Sequence, residues 1–324
     1  MMKTKKILIT GVAGMIGSHL SDLLLEKGFK VVGMDDLSVG RLENIQHNLR
    51  DINFRFVKGS ILDTKALESA ARNVDTIVHL AASKKIGEAG DAFKTLIINA
   101  DGTRNVLEAA KEKRLKVIYA STSDVYGVSK DIPFREDGDL VIGCPTAKRW
   151  SYAISKAYGE QMAFAYYKEF GVPIVVIRYF GGFSPRASFS ASGGHIPLFI
   201  DAILNDKTIV IHGDGGQTRS MGYVSDLVDG TIRALANPDA IGEIFNIGND
   251  EEVSVIDSAY MIHKIASTGK KIKIRFVPQK KIFGTYEDIK RRVPSLSKAR
   301  KLLGYRPMVN LAEGIRITIE ARRR

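Results

Sequence analysis

Six short apolar runs, rich in β-branched residues, recur through the first 180 positions of the chain. They are Ile7–Thr10, Val31–Met34, Phe54–Val57, Thr76–Leu80, Val117–Ala120 and Ile174–Arg178. Helix-like stretches separate most of them: Met15–Lys27, Thr64–Ala71, Asn99–Lys113 and Trp150–Phe170. This alternation predicts an α/β fold, a doubly wound parallel sheet with helices on both faces. In such sheets ligands bind at the carboxyl ends of the strands. After residue 180 the texture changes, with Gly181–Pro185 and Ser188–Gly194 rich in Gly and Ser. Helix-like segments return at Leu198–Asn205 and Ser225–Leu235, and strand-like runs at Ile209–His212 and Ile272–Phe276. The expectation is a ligand-binding domain over 1–180. Residues 181–324 are expected to be mainly a smaller α/β substrate lobe, interwoven with the first.

At 324 residues the chain can bury a full core. No run approaches 18 apolar residues, so no transmembrane helix and no membrane partner are expected. The start, Met1–Thr10, runs into a strand-like segment and lacks a signal-peptide pattern. The single cysteine, Cys144, excludes an intramolecular disulfide and a Cys-rich metal site; no metal is expected. A cytoplasmic location is the expectation. The net charge of +12 points to nucleic acid, a membrane surface or small anionic ligands. Its clusters, at Lys3–Lys6, Lys270–Lys273, Lys280-Lys281, Lys290–Arg292 and Arg322–Arg324, are dispersed and lack interleaved aromatics. They read as solvated surface, and nucleic acid is not expected as a partner.

Gly11, Gly14 and Gly17 lie between the first strand and the first helix. Glycines there allow a tight turn, close approach to a pyrophosphate and close helix–strand packing. The helix start, at Met15 and Ile16, offers free N–H groups and the positive end of the dipole. Asp35 ends the second strand, 18 residues after Gly17. A carboxylate there accepts hydrogen bonds from ribose hydroxyls and repels a 2′-phosphate. NAD is therefore favoured over NADP, with Arg41 the nearest arginine that keeps NADP open.

Tyr152 and Lys156 are four residues apart, so on a helix they share a face. A free tyrosine titrates at about 10 and is inert at neutral pH. Bringing it to about 7 takes roughly 4 kcal/mol. A nearby lysine and an oxidised nicotinamide are cations that favour the phenolate.

Together these residues resemble the extended short-chain dehydrogenase/reductase family, the Rossmann-like, NAD-dependent nucleotide-sugar epimerases and dehydratases (of UDP-glucose 4-epimerase type). Leu80-Ala81-Ala82, Asn99, Ser121–Gly127, Arg178-Tyr179-Phe180, Gly213–Arg219, Asp226 and Ser297–Gly304 extend the likeness over nearly the whole chain. The resemblance implies Tyr152 as base, Lys156 as holder of the nicotinamide ribose, and Thr122 as the hydrogen-bond partner of the sugar hydroxyl. It implies a cofactor site that also includes Ser60, Ile61, Leu80, Ala81, Ala82, Asn99 and Tyr179. For the substrate, a nucleotide-diphosphate sugar, it implies Lys84, Thr122, Tyr152, Gly181, Arg219 and Arg292. It further implies a homodimer through the helices near Asn99–Lys113 and Trp150–Phe170.

Three departures stand out. Gly59-Ser60 replaces the family's Gly-Asp, and the serine hydroxyl can still accept a bond. Gly181 stands where the family has Asn, and Ser184-Pro185-Arg186 where it has Gly-Pro-Arg. The last two bear on the sugar more than on the chemistry.

The shared first step is oxidation at C4 of the sugar. The ketone then is reduced on its other face, loses water across C5 and C6, or loses carbon dioxide when C6 is a carboxylate. Asp124 is the discriminating residue. Epimerases of the family usually have a small or hydroxyl residue there, and several dehydratases and the glucuronate decarboxylases have Glu. Aspartate offers a carboxylate with about 1.5 Å less reach. The leading expectation is a 4-epimerase, and the alternative is a dehydratase or decarboxylase using Asp124 as a catalytic group. A third reading, a NAD-sensing or nucleic-acid-associated protein without activity, is opposed by the intact Thr122, Tyr152 and Lys156.

Overall fold

The structure is a computed structural model that describes residues 5–84, 91–188, 194–278 and 289–323. Lys280, Lys281 and part of the Gly/Ser stretch, residues 189–193, lie outside the described residues.

The first part of the chain runs β1 (Lys6–Thr10), α1 (Met15–Glu26), β2 (Lys30–Asp35), β3 (Phe54–Lys58), α2 (Thr64–Ala71), β4 (Thr76–His79), α3 (Ala92–Lys111), β5 (Lys116–Thr122), α4 (Trp150–Phe170) and β6 (Ile174–Tyr179). It continues through β7 (Gly182–Phe183), α5 (His195–Leu204), β8 (Ile209–His212), β9 (Thr218–Ser220), β10 (Gly222–Tyr223), α6 (Val224–Ala236) and β11 (Glu243–Ile247). The last elements are β12 (Glu252–Ser254), α7 (Val255–Ala266), β13 (Ile274–Val277), β14 (Arg291–Arg292), α8 (Ser297–Leu303) and α9 (Leu311–Arg323).

The six expected strands form one parallel sheet with a seventh, in the order β11-β6-β5-β4-β1-β2-β3. The seventh, β11, comes from beyond residue 180 and pairs with β6. The C-terminal half thus supplies an edge strand to the first sheet. It also builds three small sheets of its own, β7 with β10, β8 with β13, and β12-β9-β14. Helix α3 starts at Ala92, seven residues before the expected Asn99, because Asp91 caps it by accepting the N–H of Lys94 at 2.9 Å.

Strand residues alternate between two cores. Ile7, Ile9, Ile118, Val175 and Ile177 face one side with α1 and α6, whereas Leu8, Val117, Tyr119, Ile174 and Val176 face the other with α2 and α3. Both faces are covered, so the strands read as unbroken apolar runs. Each fully buried aliphatic side chain contributes about 1.5–3 kcal/mol. The strand order reverses between β1 and β4, and a crevice opens there at the carboxyl ends.

Helix α4 is held against this end by charge. Arg178 on β6 grips Glu160 with two hydrogen bonds, Nε to Oε1 at 2.9 Å and Nη2 to Oε2 at 2.7 Å. Ser121 donates to the same carboxylate. Both partners are almost fully buried. Gly159 lets the helix come this close: a Cβ there would sit 2.1 Å from the Tyr119 hydroxyl oxygen. Breaking a buried pair strands the other charge and costs about 3–5 kcal/mol. Glu160→Gln should therefore lower stability by about 3 kcal/mol, read as a lower midpoint in urea unfolding; an unchanged midpoint would show that Arg178 finds another partner.

Candidate active site

The crevice is a cleft of about 1160 Å³. Ordinary small-molecule pockets span about 300–1,000 Å³, so it has room for two extended ligands. One end is built on the glycine loop. Gly11 has φ of +75°, and a Cβ on it would lie 2.7 Å from the Ala81 nitrogen. A Cβ on Gly17 would lie 2.3 Å from the Gly11 oxygen. Helix α1 starts at Gly14 without a side-chain cap, and Met15 and Ile16 of its first turn line the cleft. An N-terminus left open in this way is an anion site. Asp35 stands just behind this wall, its Oδ2 accepting the Ala13 N–H and its Oδ1 the Leu37 N–H, both at 2.9 Å. Each oxygen keeps acceptor capacity for a ribose hydroxyl. A loop, donors and acid placed so fit a dinucleotide.

The other expected cofactor residues divide into wall and support. Leu80, Ala82, Lys156 and Tyr179 line the cleft. The Tyr179 hydroxyl is shared with Thr231 of α6 at 2.6 Å. Asn99 is buried behind the wall. It accepts the Ser83 N–H at 2.7 Å and donates to Ser155 at 2.9 Å, so it ties the loop after β4 to α4. Ala81 bonds back to Thr10 at 3.3 Å. Ile61 is packed in the core, and the Ser60 hydroxyl accepts the Leu62 N–H at 3.3 Å.

At the chemical end, Thr122, Asp124, Tyr152 and Lys156 meet in the cleft wall. Thr122 ends β5 and hydrogen-bonds Tyr152. Lys156 is buried and donates to the Ala120 carbonyl at 2.7 Å. Burial pushes its pKa down to about 7, against an upward pull from Glu160. Burial and the Asp124 charge raise Tyr152 above the ordinary phenol, whereas the Thr122 bond and the Arg149 charge lower it. Arg149 precedes Tyr152 by three residues, and the sequence reading passes over it.

Asp124 is the most constrained group. It is 1 % exposed and lies in a short 3-10 turn, Ser123–Tyr126. Its Oδ1 meets Arg292 at 2.7 Å and Arg149 at 3.0 Å, and its Oδ2 lies 4.0 Å from Lys84. Its burial favours the acid, yet the facing cations hold the carboxyl far below the usual range. It is an anion at every physiological pH. Lys84 also lies over the Tyr152 ring, 5.6 Å from the centroid. Arg219 lines the cleft from β9 and donates to the carbonyls of Thr218 and Ile289. Gly181 lines it with φ of +42°, and a Cβ there would be 2.5 Å from the Ser220 oxygen. Arg41, Arg186 and Arg322 complete the basic lining; the sequence brings them forward for other reasons, Arg322 as part of a dispersed surface cluster.

The description that matches this chain over residues 8–318 is GDP-mannose 4,6-dehydratase. The chain belongs to that family. It is 37% identical over 318 residues to a UDP-N-acetyl-alpha-D-glucosaminuronate decarboxylase of Bacillus cytotoxicus, covering 98% of this chain and 97% of the relative. It is 35% identical to UDP-glucuronic acid decarboxylase 1 of Danio rerio, over 98% of this chain and 72% of that one. The solved structure of UDP-glucuronic acid 4-epimerase from Bacillus cereus, in complex with UDP-glucuronic acid and NAD, superposes with a TM-score of 0.88 at 34% identity, over 98% and 99% of the two chains. The protein is thus an NAD-dependent enzyme of the nucleotide-sugar epimerase and dehydratase class. Among the described residues, no helix is long and apolar enough to cross a membrane.

The buried lysine has a stability cost with a defined pH window. Its pKa is about 7 when folded, against 10.5 for an ordinary lysine. The penalty is full below about 7 and is relieved as pH rises from there toward 10.5. Lys156→Met should raise the melting temperature of the NAD-free protein by a few degrees. The gain should be largest below pH 7 and shrink under alkaline conditions; a gain independent of pH would contradict the buried charge.

Proposed function

We propose that the enzyme is a nucleotide-sugar 4-epimerase acting through a transient 4-keto sugar, and that its sugar is a uronate carried on UDP. Asp124 carries this reading. Dehydration needs an acid for the leaving C6 hydroxyl, and a carboxylate clamped by Arg292 and Arg149 has no proton to give. Epimerisation needs no such acid. The cations around Asp124 exceed its single charge, and the excess suits a second carboxylate, the C6 group of a uronate. The relatives named for UDP-linked uronates support the same class.

The glycine loop, Asp35 and Lys156 would hold NAD, which when bound supplies the hydride acceptor at C4 and returns the hydride later. Tyr152 takes the C4 hydroxyl proton, Thr122 orients that hydroxyl, and Lys156 positions the ribose. Arg219 and Arg292 grip the anionic parts of the substrate. The ketone turns to present its other face, and Tyr152 returns its proton to the C4 oxygen as that face is reduced. Ion pairing of the C6 carboxylate opposes loss of carbon dioxide, because the bonding electrons must leave that group.

A decarboxylase is the second reading, favoured by the names of two relatives. Incubation with UDP-, GDP-, CDP- and dTDP-sugars, neutral and carboxylated, with products read by mass spectrometry, separates the outcomes. A stereoisomer of unchanged mass from a UDP-uronate is expected. Loss of carbon dioxide would replace the first reading with the second, and loss of water would reject both.

The assembly proposed is a homodimer through α3 and α4. Phe93, Leu96 and Ile97 on α3 and Ile154 and Tyr158 on α4 leave apolar surface exposed, with Phe93 75% exposed. Apolar groups clustered in this way mark an interface. Sedimentation should give a dimer, and a strict monomer at micromolar concentration would reject it. A cytoplasmic setting, where Cys144 stays reduced, is part of the proposal.

A further inference from the structure

Arg149 contacts the site without facing the cleft. It lies at the start of α4, three residues and so about one turn before Tyr152. Its Nη2 donates to Asp124 Oδ1 at 3.0 Å, and its side chain is only 10% exposed. Asp124 in turn donates its backbone N–H to Thr122 Oγ1 at 3.2 Å, and Thr122 bonds Tyr152. A guanidinium and a carboxylate therefore meet behind the reacting phenol, held by the helix that carries Tyr152 and by the turn that follows Thr122.

We propose that Arg149 and Asp124 are a positioning pair whose opposed charges set the pH at which Tyr152 ionises. The inference rests on the reading of Tyr152 as the base. Neither residue transfers the proton; each acts through the phenol. The other groups facing Tyr152 are Lys156 on its own helix, Lys84 over its ring, Thr122 and Tyr119 on β5, and, through Asp124, Arg292 on β14. Charges of both signs act on the phenol from fixed positions. The carboxylate opposes the phenolate and the guanidinium favours it, so removing either leaves the other uncompensated. Lys84 and Arg292 also face Asp124, so the carboxylate remains ionised when Arg149 is lost.

The test is a phenolate titration of the NAD-loaded enzyme. Ultraviolet difference spectra are taken between each protein and the same protein carrying Tyr152→Phe. Asp124→Asn should move the midpoint of Tyr152 to lower pH by about one unit, and Arg149→Gln to higher pH by about one unit. Arg149→Lys should restore most of the shift, because it keeps the charge. The acidic limb of the kcat/KM profile should follow each midpoint. Opposite shifts are not what a loss of packing gives. Midpoints that stay fixed, or move the same way in both variants, overturn the inference. If Asp124→Asn does not fold, the Gln and Lys variants of Arg149 decide it alone, since a shared midpoint for the two would then count against it. Persistent turnover in the Tyr152→Phe enzyme would instead remove the base itself, an outcome distinct from any result of the titration.

Discussion

The contact between Arg178 and Glu160 decides where the helix that carries Tyr152 and Lys156 sits against the sheet. Tyr152 and Lys156 ride on α4, and α4 is joined to β6 by this one buried, bidentate pair. Their burial is tolerable because the pair is geometrically complete, with Ser121 adding a third donor. Glu160 lies one turn beyond Lys156 and pulls the lysine toward its charged form. The ion pair that docks the helix therefore also favours the ammonium form of Lys156. His79 fits the same logic. It sits between Thr10 and Thr103 beneath the lysine, and burial and the Lys156 charge push it down to about 3. A neutral imidazole adds no repulsion to the buried Lys156.

Much of this fold was legible because it depends on local pattern. The six β-branched runs became the six expected strands, most of them buried on both faces, with the edge strand β3 only partly buried. Trp150–Phe170 and Thr64–Ala71 form helices over their expected bounds. The glycine loop was readable because its turn and its closeness to Ala81 exclude any side chain at Gly11. What escaped depends on contacts distant in sequence. Strand β11 is five residues of mixed character, and only pairing with β6, more than 60 residues earlier, makes it a strand. The start of α3 was missed because Phe93, Leu96 and Ile97 are apolar yet exposed, which blurs the helical stripe.

The site divides in the same way. Residues whose role follows from spacing, Tyr152 with Lys156 and the loop glycines, stand together in the cleft wall. Asn99 shares the family motif, but its side chain is occupied in bracing the wall from behind. Arg149 carries no spacing signal, because its partner Asp124 is 25 residues away and the two meet only when α4 docks. Asp124 shows the limit most clearly. Its sequence position suggests an acid, and only the surrounding side chains reveal that it is permanently charged.

Charge in the cleft also gives the basic composition a purpose that dispersed clusters concealed. Seven lysines and arginines line it among the described residues, against two acids, Glu43 and Asp124. A dinucleotide and a nucleotide-diphosphate sugar each bring a pyrophosphate, and the two together answer most of that excess. Asp124 already neutralises part of the cationic group nearest the phenol. A shorter carboxylate than glutamate keeps this neutralising charge back in the wall, beside Arg149, and leaves the forward space to the substrate. The glutamate of related enzymes would reach into that space by about one more bond. The length of this one side chain thus separates a charge held beside the phenol from a charge that reaches into the substrate space.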